Sequence, residues 1–292
     1  MSELLYHYCN TDVFFNIIKN STIWLSDVSK SNDYQECVLC LDLVNREMEK
    51  FFSSNAEDLD AWKDGFDIGR QVYEGITTFC ACFSDGQDQL SQWRGYADNG
   101  AGLSIGFDKT FLLELNTVNK CNIAFSRVIY DDIQAYVNRL VKSNIHKLSS
   151  KGIGHIALEL PANYRLKFPF IKNPSFKEER EWRAVVCSSI DNHNIRCAKN
   201  FSFSKINYRV AHKQIIPYIE MNFSQIKQQL IKEIWIGPKS KITISDIVHL
   251  LNFYGYYDGI AHNSEQLDSL MRIGCSSIDN HNIRCAKNFS FS

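Results

Sequence analysis

No stretch of this 292-residue chain approaches the ~20 uncharged apolar residues that a membrane span needs. The opening MSELLYHY lacks the charged-then-apolar order of a secretory leader. Net charge is nearly absent as well, −1 at pH 7. There is thus no global basic field, and broad nucleic-acid binding is not implied, although a local patch stays open. No Gly/Ser or Pro run divides the chain, which argues for one domain over residues 1–272 with helical insertions. These absences predict a cytoplasmic protein with no membrane partner.

What is present suffices for a packed core. Hydrophobic residues make up 45% of the chain and aromatics 13%, so disorder is not expected. Ten cysteines are many, yet their pattern does not suit a secreted disulfide scaffold. Cys37 and Cys40 sit in an apparent helix interior, and Cys80 and Cys82 in an apparent buried strand. Their CxxC and CxC spacings are compatible with zinc, but no His-rich or turn-forming context surrounds them. Small core residues are the expectation. Residues 187–204 (CSSIDNHNIRCAKNFSFS) recur unchanged as residues 275–292. Structural repeats drift and come in arrays, so this copy reads as a recent duplication or an artefact, and a poorly packed tail is expected.

Hydrophobic periodicity predicts a helix after Thr11 as N-cap, a strand at 21–26 and a helix over 34–52. Ser54 and Glu57 suit a capping box before a helix reaching 73. Strands are expected at 76–83, 101–107 and 123–130, with short helices at 89–97 and 111–115. A long helical region spans 131–160, weakened at Gly152 and Gly154. Further strands are expected at 193–204, 206–221 and 234–237, then a helix from Ser245 to 254 and a closing element at 257–261. The irregular interleaving predicts an α+β fold with a mixed, largely antiparallel sheet and helical insertions.

The chemistry concentrates in FKEEREWRAVV, residues 176–186. Trp182, Ala184 and Val186 alternate with Glu179, Glu181 and Arg183, so a strand here has one apolar and one charged face. The two carboxylates would stand about 7 Å apart. Like charges at that range raise each other's proton affinity unless a cation such as Arg183 intervenes. A solvated sheet face and a functional site both fit the pattern. Other clusters are Tyr6-His7-Tyr8, the rings Trp24 and Tyr34 flanking LSDVSKSND, and Trp93, Arg94 and Tyr96 before Gly100-Ala101-Gly102. Each has a structural reading too: a satisfied His, a core Trp, and an i,i+3 ring pair packed on the sheet.

The YHY opening, IWLS with its following SND, the block CFSDGQDQLSQWRGYADNGAGLSIGFD and the segment FKEEREWR occur in an order that resembles the bacterial domain-of-unknown-function 2971 family. The resemblance runs over residues 5–240, with Glu179, Glu181 and Arg183 as its Glu-x-Glu-x-Arg element. That family name carries no activity.

A second resemblance is to ADP-ribosyltransferases, which place a His or Arg on the first strand, an aromatic or Ser on the next, and a Glu-x-Glu late. His7, then Trp24 and Ser26, then Glu179 and Glu181 fall in that order. The run from Trp24 to Tyr34 is similar to the poly-ADP-ribose polymerase segment whose two aromatics sandwich nicotinamide. The sequence departs from the pattern where His7-Tyr8-Cys9 stands for the usual His-Gly-Thr, and the aromatic spacing is one residue shorter.

The resemblance implies a split sheet and NAD consumed as substrate without a metal. Glu181 would be the catalytic carboxylate beside the ribosyl cation, and Glu179 would steer or deprotonate the acceptor. His7 would hold the adenosine ribose, and Trp24 and Tyr34 would stack on nicotinamide. Ser26, Trp93, Tyr96 and Arg183 complete the implied NAD site. The acceptor would be a nucleic acid or a protein, and the role that of a toxin or phage-defence effector. Alternatives are a non-catalytic nucleotide-binding sensor, or a metal-dependent nuclease using Asp85, Glu179, Glu181 and Lys177. The enzyme reading requires the late acidic pair, His7 and the two rings to face one cleft large enough for a dinucleotide.

Overall fold

Short strands alternate with helices from the start, and the computed structural model describes residues 3–30, 34–117, 123–130, 133–189, 200–211, 213–256 and 271–273. Strand β1 (Leu4–Cys9), helix α1 (Thr11–Asn20) and strand β2 (Thr22–Asp27) come first. Helices α2 (Tyr34–Phe52) and α3 (Ala56–Glu74) follow, then β3 (Ile76–Ser84), α4 (Leu90–Tyr96), β4 (Leu103–Asp108), α5 (Lys109–Leu113) and β5 (Ile123–Arg127). Helices α6 (Ile133–Lys151) and α7 (Ile153–Tyr164) lead to β6 (Glu181–Ser189) and β7 (Ser202–Phe203). The chain closes with β8 (Asn207–Ala211), β9 (Gln214–Asn222), α8 (Lys227–Leu230), β10 (Ile231–Ile236), α9 (Ile244–Phe253) and β11 (Met271–Ile273). This is an α+β fold, and no helix among the described residues is long and apolar enough to cross a membrane.

Helix starts lie within two residues of the expected caps, but on different side chains. Asn10 rather than Thr11 accepts from the Val13 amide, and Asn55 rather than Ser54 accepts from Glu57 and Asp58. Thr243 rather than Ser245 forms a reciprocal capping box with Asp246. In each case a cap-competent side chain stands beside the expected one, and extended backbone at the cap aims it at the free amides. Gly152 separates α6 from α7 at φ +80°, a conformation that glycine adopts without steric cost.

The acidic segment differs most from expectation. Pro174–Glu179 forms a 3-10 turn capped by Asn173, and Arg180 takes φ +48°, so the strand begins only at Glu181. Proline favours the first turn of a helix, and Glu179 therefore does not share a strand face with Glu181 and Arg183. The expected strand at 206–221 is a hairpin, β8–β9, turned at Lys213 with φ +61°. Residues 257–261, 190–199 and the second copy at 275–292 lie outside the described residues. From the first copy, Cys187 ends in β6, and Ser202 and Phe203 pair with β9.

Two large cores form. One lies on the sheet and is built from Leu5, Ile18, Leu25, Phe79, Phe83, Ile105, Phe107, Phe125, Val186 and Ile219. The other is a helical insertion in which α2, α3, α6 and α7 bury Val44, Trp62, Phe66, Val137 and Leu160. Helices α3 and α7 approach so closely that a Cβ on Gly65 would lie 2.4 Å from the Gly154 carbonyl oxygen.

The sheet runs β11-β10-β4-β1-β3-β2-β9-β7, with β6 on β3, β5 on β6 and β8 on β9. All named pairs are antiparallel except β10 with β11. Strand β3 is covered by β6 along its whole length. Its remaining contacts are short: β1 meets it at Tyr6↔Ser84, and β2 meets it at Ser26↔Cys80 and Asp27↔Phe79. Strands β1 and β2 therefore part from each other over residues 81–83, and the sheet splits there.

Candidate functional site

A hollow of about 340 Å³ occupies the split. Strand β1 supplies His7, β2 supplies Trp24, Ser26 and Asp27, and β3 supplies Cys80, Ala81 and Cys82 at the gap between β1 and β2. Tyr96, Arg183 and Arg209 complete its polar and aromatic lining, and Val13 and Ile17 of α1 add apolar surface. This volume lies at the small end of the ~300–1,000 Å³ range of small-molecule sites. One end of a dinucleotide fits that size and the remainder would lie outside, so the hollow falls short of the dinucleotide-sized cleft that the enzyme reading required.

His7 serves the split directly. Its Nδ1 lies 2.9 Å from the Cys82 carbonyl oxygen, within the stretch that neither β1 nor β2 pairs. A carbonyl only accepts, so Nδ1 carries the proton and Nε2 of the neutral ring is the acceptor. Burial lowers the His7 pKa below its ordinary value, against a smaller opposing effect of the Cys82 carbonyl. Trp24 stacks at 4.6 Å on Tyr218, while Arg209 lies 5.5 Å over the indole and donates from Nη2 to Ser26 Oγ at 3.0 Å.

Behind this lining lies a buried ion cluster. Arg183 donates from Nε and Nη2 to the two Glu181 carboxylate oxygens at 2.8 and 2.9 Å, and from Nη1 to the Pro169 carbonyl at 2.6 Å. Lys172, 1% exposed, donates to Glu179 at 2.7 Å and to Glu181 at 3.3 Å. Two carboxylates and two cations thus neutralise each other. Burial pushes the Glu181 carboxyl up, but Arg183 and Lys172 outweigh it and hold the group below the usual carboxylate range. Burial opposes the Arg183 charge, and Glu181 and the neighbouring thiols hold its pKa well above the ordinary value. The mutual repulsion expected of Glu179 and Glu181 is cancelled by these intervening cations.

Of the expected site residues, His7, Trp24, Ser26, Tyr96 and Arg183 line one cleft. Glu181 stands directly behind Arg183, and Glu179 is tied to it through Lys172, so the acids are one layer back from the lining. Trp93 lies elsewhere. It is fully buried against Tyr8 in an edge-to-face contact of 5.0 Å, with its indole N–H on Asp88. Tyr34 opens α2, but its side chain lies outside the described residues; the ring on Trp24 is Tyr218. For the nuclease set, Asp85 is held by Arg127 and Arg180, and among the described residues no three His, Cys, Asp or Glu side chains meet as metal ligands.

Several lining residues were not expected. Cys80 and Cys82, read as core, face the cleft with sulfurs 3.8 Å apart. Arg209 lay in NYRVA, read only as strand. Its signal was inverted alternation, for the apolar neighbours Tyr208 and Val210 point to solvent, 65% and 79% exposed, and the charge points inward. Lys172, in a loop-like IKNPS, carried no readable signal.

Residues 92–184 match the family model described as Protein of unknown function (DUF2971). The matched segment contains Tyr96, Lys172, Glu179, Glu181 and Arg183, the ion cluster and its edge, and leaves His7, Trp24 and Arg209 outside it. No curated protein and no solved structure matches the chain.

Proposed function

We propose that this protein takes up a nucleotide of the NAD class in the split of its sheet and breaks the nicotinamide–ribose bond, as an ADP-ribosyltransferase-like enzyme. The observation that supports this reading is the convergence of His7, Trp24, Ser26, Tyr96 and Arg183 on one hollow from four separate segments. Heterolysis would send the bond's electron pair to the pyridine nitrogen, releasing neutral nicotinamide. The ribosyl cation left behind would be captured by water or an acceptor hydroxyl, which gives up one proton to a carboxylate. Glu181 stands behind Arg183 with its carboxyl held below the usual range, and its charge would favour the cation. Glu179 would take the acceptor's proton.

A second reading has its own support. Both Glu181 oxygens are occupied by Arg183, and a neutralised carboxylate stabilises a cation poorly. That arrangement suits a sensor that holds the nucleotide without cleaving it. Incubation with NAD and measurement of free nicotinamide separates the two. The enzyme reading expects release, lost in Glu181→Gln when assayed below that variant's lowered melting transition. A nucleotide-induced melting shift without release selects the sensor. No shift and no release would sink both.

A further inference from the structure

Arg209 is the feature of the cleft that neither reading has used. Its guanidinium lines the hollow, rests over Trp24 at 5.5 Å and donates from Nη2 to Ser26 Oγ. Its Nε is buried and has no hydrogen-bond partner, and no carboxylate forms an ion pair with it among the described residues. The other lining arginine, Arg183, is spent on Glu181 and Pro169. The lining carboxylate, Asp27, is engaged by the Ser29 amide. Buried donors on a permanent cation are ordinarily satisfied. An unsatisfied one at the wall of a hollow, beside an aromatic ring, is the arrangement that receives a phosphate or another oxyanion carried by a planar group.

We propose that Arg209 is the phosphate-binding residue of the cleft, contacting a phosphoryl oxygen of the bound ligand through the part of its guanidinium that lines the hollow. The ligand class is then a phosphorylated nucleoside whose phosphate lies beside Arg209, next to Trp24 and Ser26. This deepens the nucleotide reading above and rests on the same hollow, but it makes a separate demand. Affinity must depend on the phosphate and on this one side chain.

The test is calorimetric titration of the full chain and its Arg209→Gln and Arg209→Lys variants, with NAD, ADP-ribose and inorganic pyrophosphate beside the phosphate-free nicotinamide riboside and adenosine. Removing one charge-assisted hydrogen bond should weaken the phosphate-bearing nucleotides about 10- to 100-fold in Arg209→Gln. Arg209→Lys should recover part of that loss, and nucleoside binding should stay unchanged. Pyrophosphate binding that depends on Arg209 without any binding of NAD or ADP-ribose keeps this proposal and removes the NAD reading. NAD turnover or binding that is equal in wild type and Arg209→Gln keeps the NAD reading and overturns this one. Failure of every phosphate-bearing probe to bind the wild type also overturns it, as does equal loss of nucleoside and nucleotide affinity, which marks Arg209 as merely structural.

Discussion

Arg183 and Arg209 border the same hollow, and their surroundings differ in nearly every respect. Arg183 sits at 2% exposure with Nε, Nη1 and Nη2 all bonded, inside a cluster whose charges cancel. Arg209 has one side-chain bond, to Ser26, and a buried Nε that faces no acceptor. A charge that is buried and saturated has no capacity left for a ligand and contributes by fixing the wall around it. A charge that is half-buried and short of partners contributes little to folding and retains its capacity to bind. The back of the cleft is scaffold and its Arg209 side is receptive.

The largest effect should come from splitting the saturated pair. Arg183→Met leaves Glu181 buried with only Lys172 beside it, and breaking a buried pair from one side costs about 3–5 kcal/mol. Urea unfolding should register that loss. Arg209→Met removes one hydrogen bond from a half-buried guanidinium and also an unsatisfied buried donor, two changes of opposite sign, so its change should stay within about 1 kcal/mol. Equal losses in the two variants would erase the contrast. The double variant Glu181→Leu/Arg183→Met sharpens it. Lys172 and Glu179 still pair with each other, and the double change should recover most of the single loss, because replacing a buried pair by apolar groups is often near neutral.

A smaller effect should appear as pH dependence. Burial holds the folded His7 below its ordinary 6.5, while the unfolded chain keeps that ordinary value. Between the two values the unfolded state binds the extra proton, so stability is full above about 6.5 and declines as pH falls toward the folded value. Glu181 acts lower on the scale. Its carboxyl is held below the ordinary 4.5, so its contribution is present above that value and is lost as pH falls through the folded one. Denaturation midpoints of His7→Gln should therefore be flatter just below pH 6.5 and retain the steeper acid loss. Identical profiles for the variant and the wild type would mean that the imidazole is not buried against the Cys82 carbonyl.

The contrast also explains what the sequence could and could not disclose. Element types were legible because apolar periodicity is a property of neighbouring residues, as in α1 and β3. So were His7, Trp24, Ser26 and Tyr96 as residues that meet. Cap positions slipped because Asn10 beside Thr11, or Thr243 near Ser245, are chemically equivalent until the backbone chooses one. Glu179 was misplaced because Pro174 and the φ +48° at Arg180 make the strand begin two residues later than alternation suggests. Lys172 and Tyr218 were invisible for a different reason. Tyr218 reaches Trp24 through the pairing of β9 with β2, far apart in the chain, and Lys172 reaches Glu179 and Glu181 by the fold of the intervening turn, which spacing does not record.

The smallest effect, and the most local, concerns the thiols. Cys82 is exposed, yet the adjacent Cys80 sulfur at 3.8 Å and then burial raise its pKa well above the ordinary thiol value, with Arg183 pulling the other way. The thiolate is the reactive form, so Cys82 should alkylate slowly at pH 8 despite its exposure, as read peptide by peptide in mass spectrometry with iodoacetamide. Cys80→Ser should speed that labelling a few-fold, because the thiol contact that disfavours the thiolate is gone. Arg183→Met should slow it further, because the cation that favours the thiolate is gone, whereas Arg209→Met should leave it unchanged. If Arg209→Met altered the rate as much as Arg183→Met, the two sides of the hollow would be electrostatically one site, and the division between scaffold and receptive side would not hold.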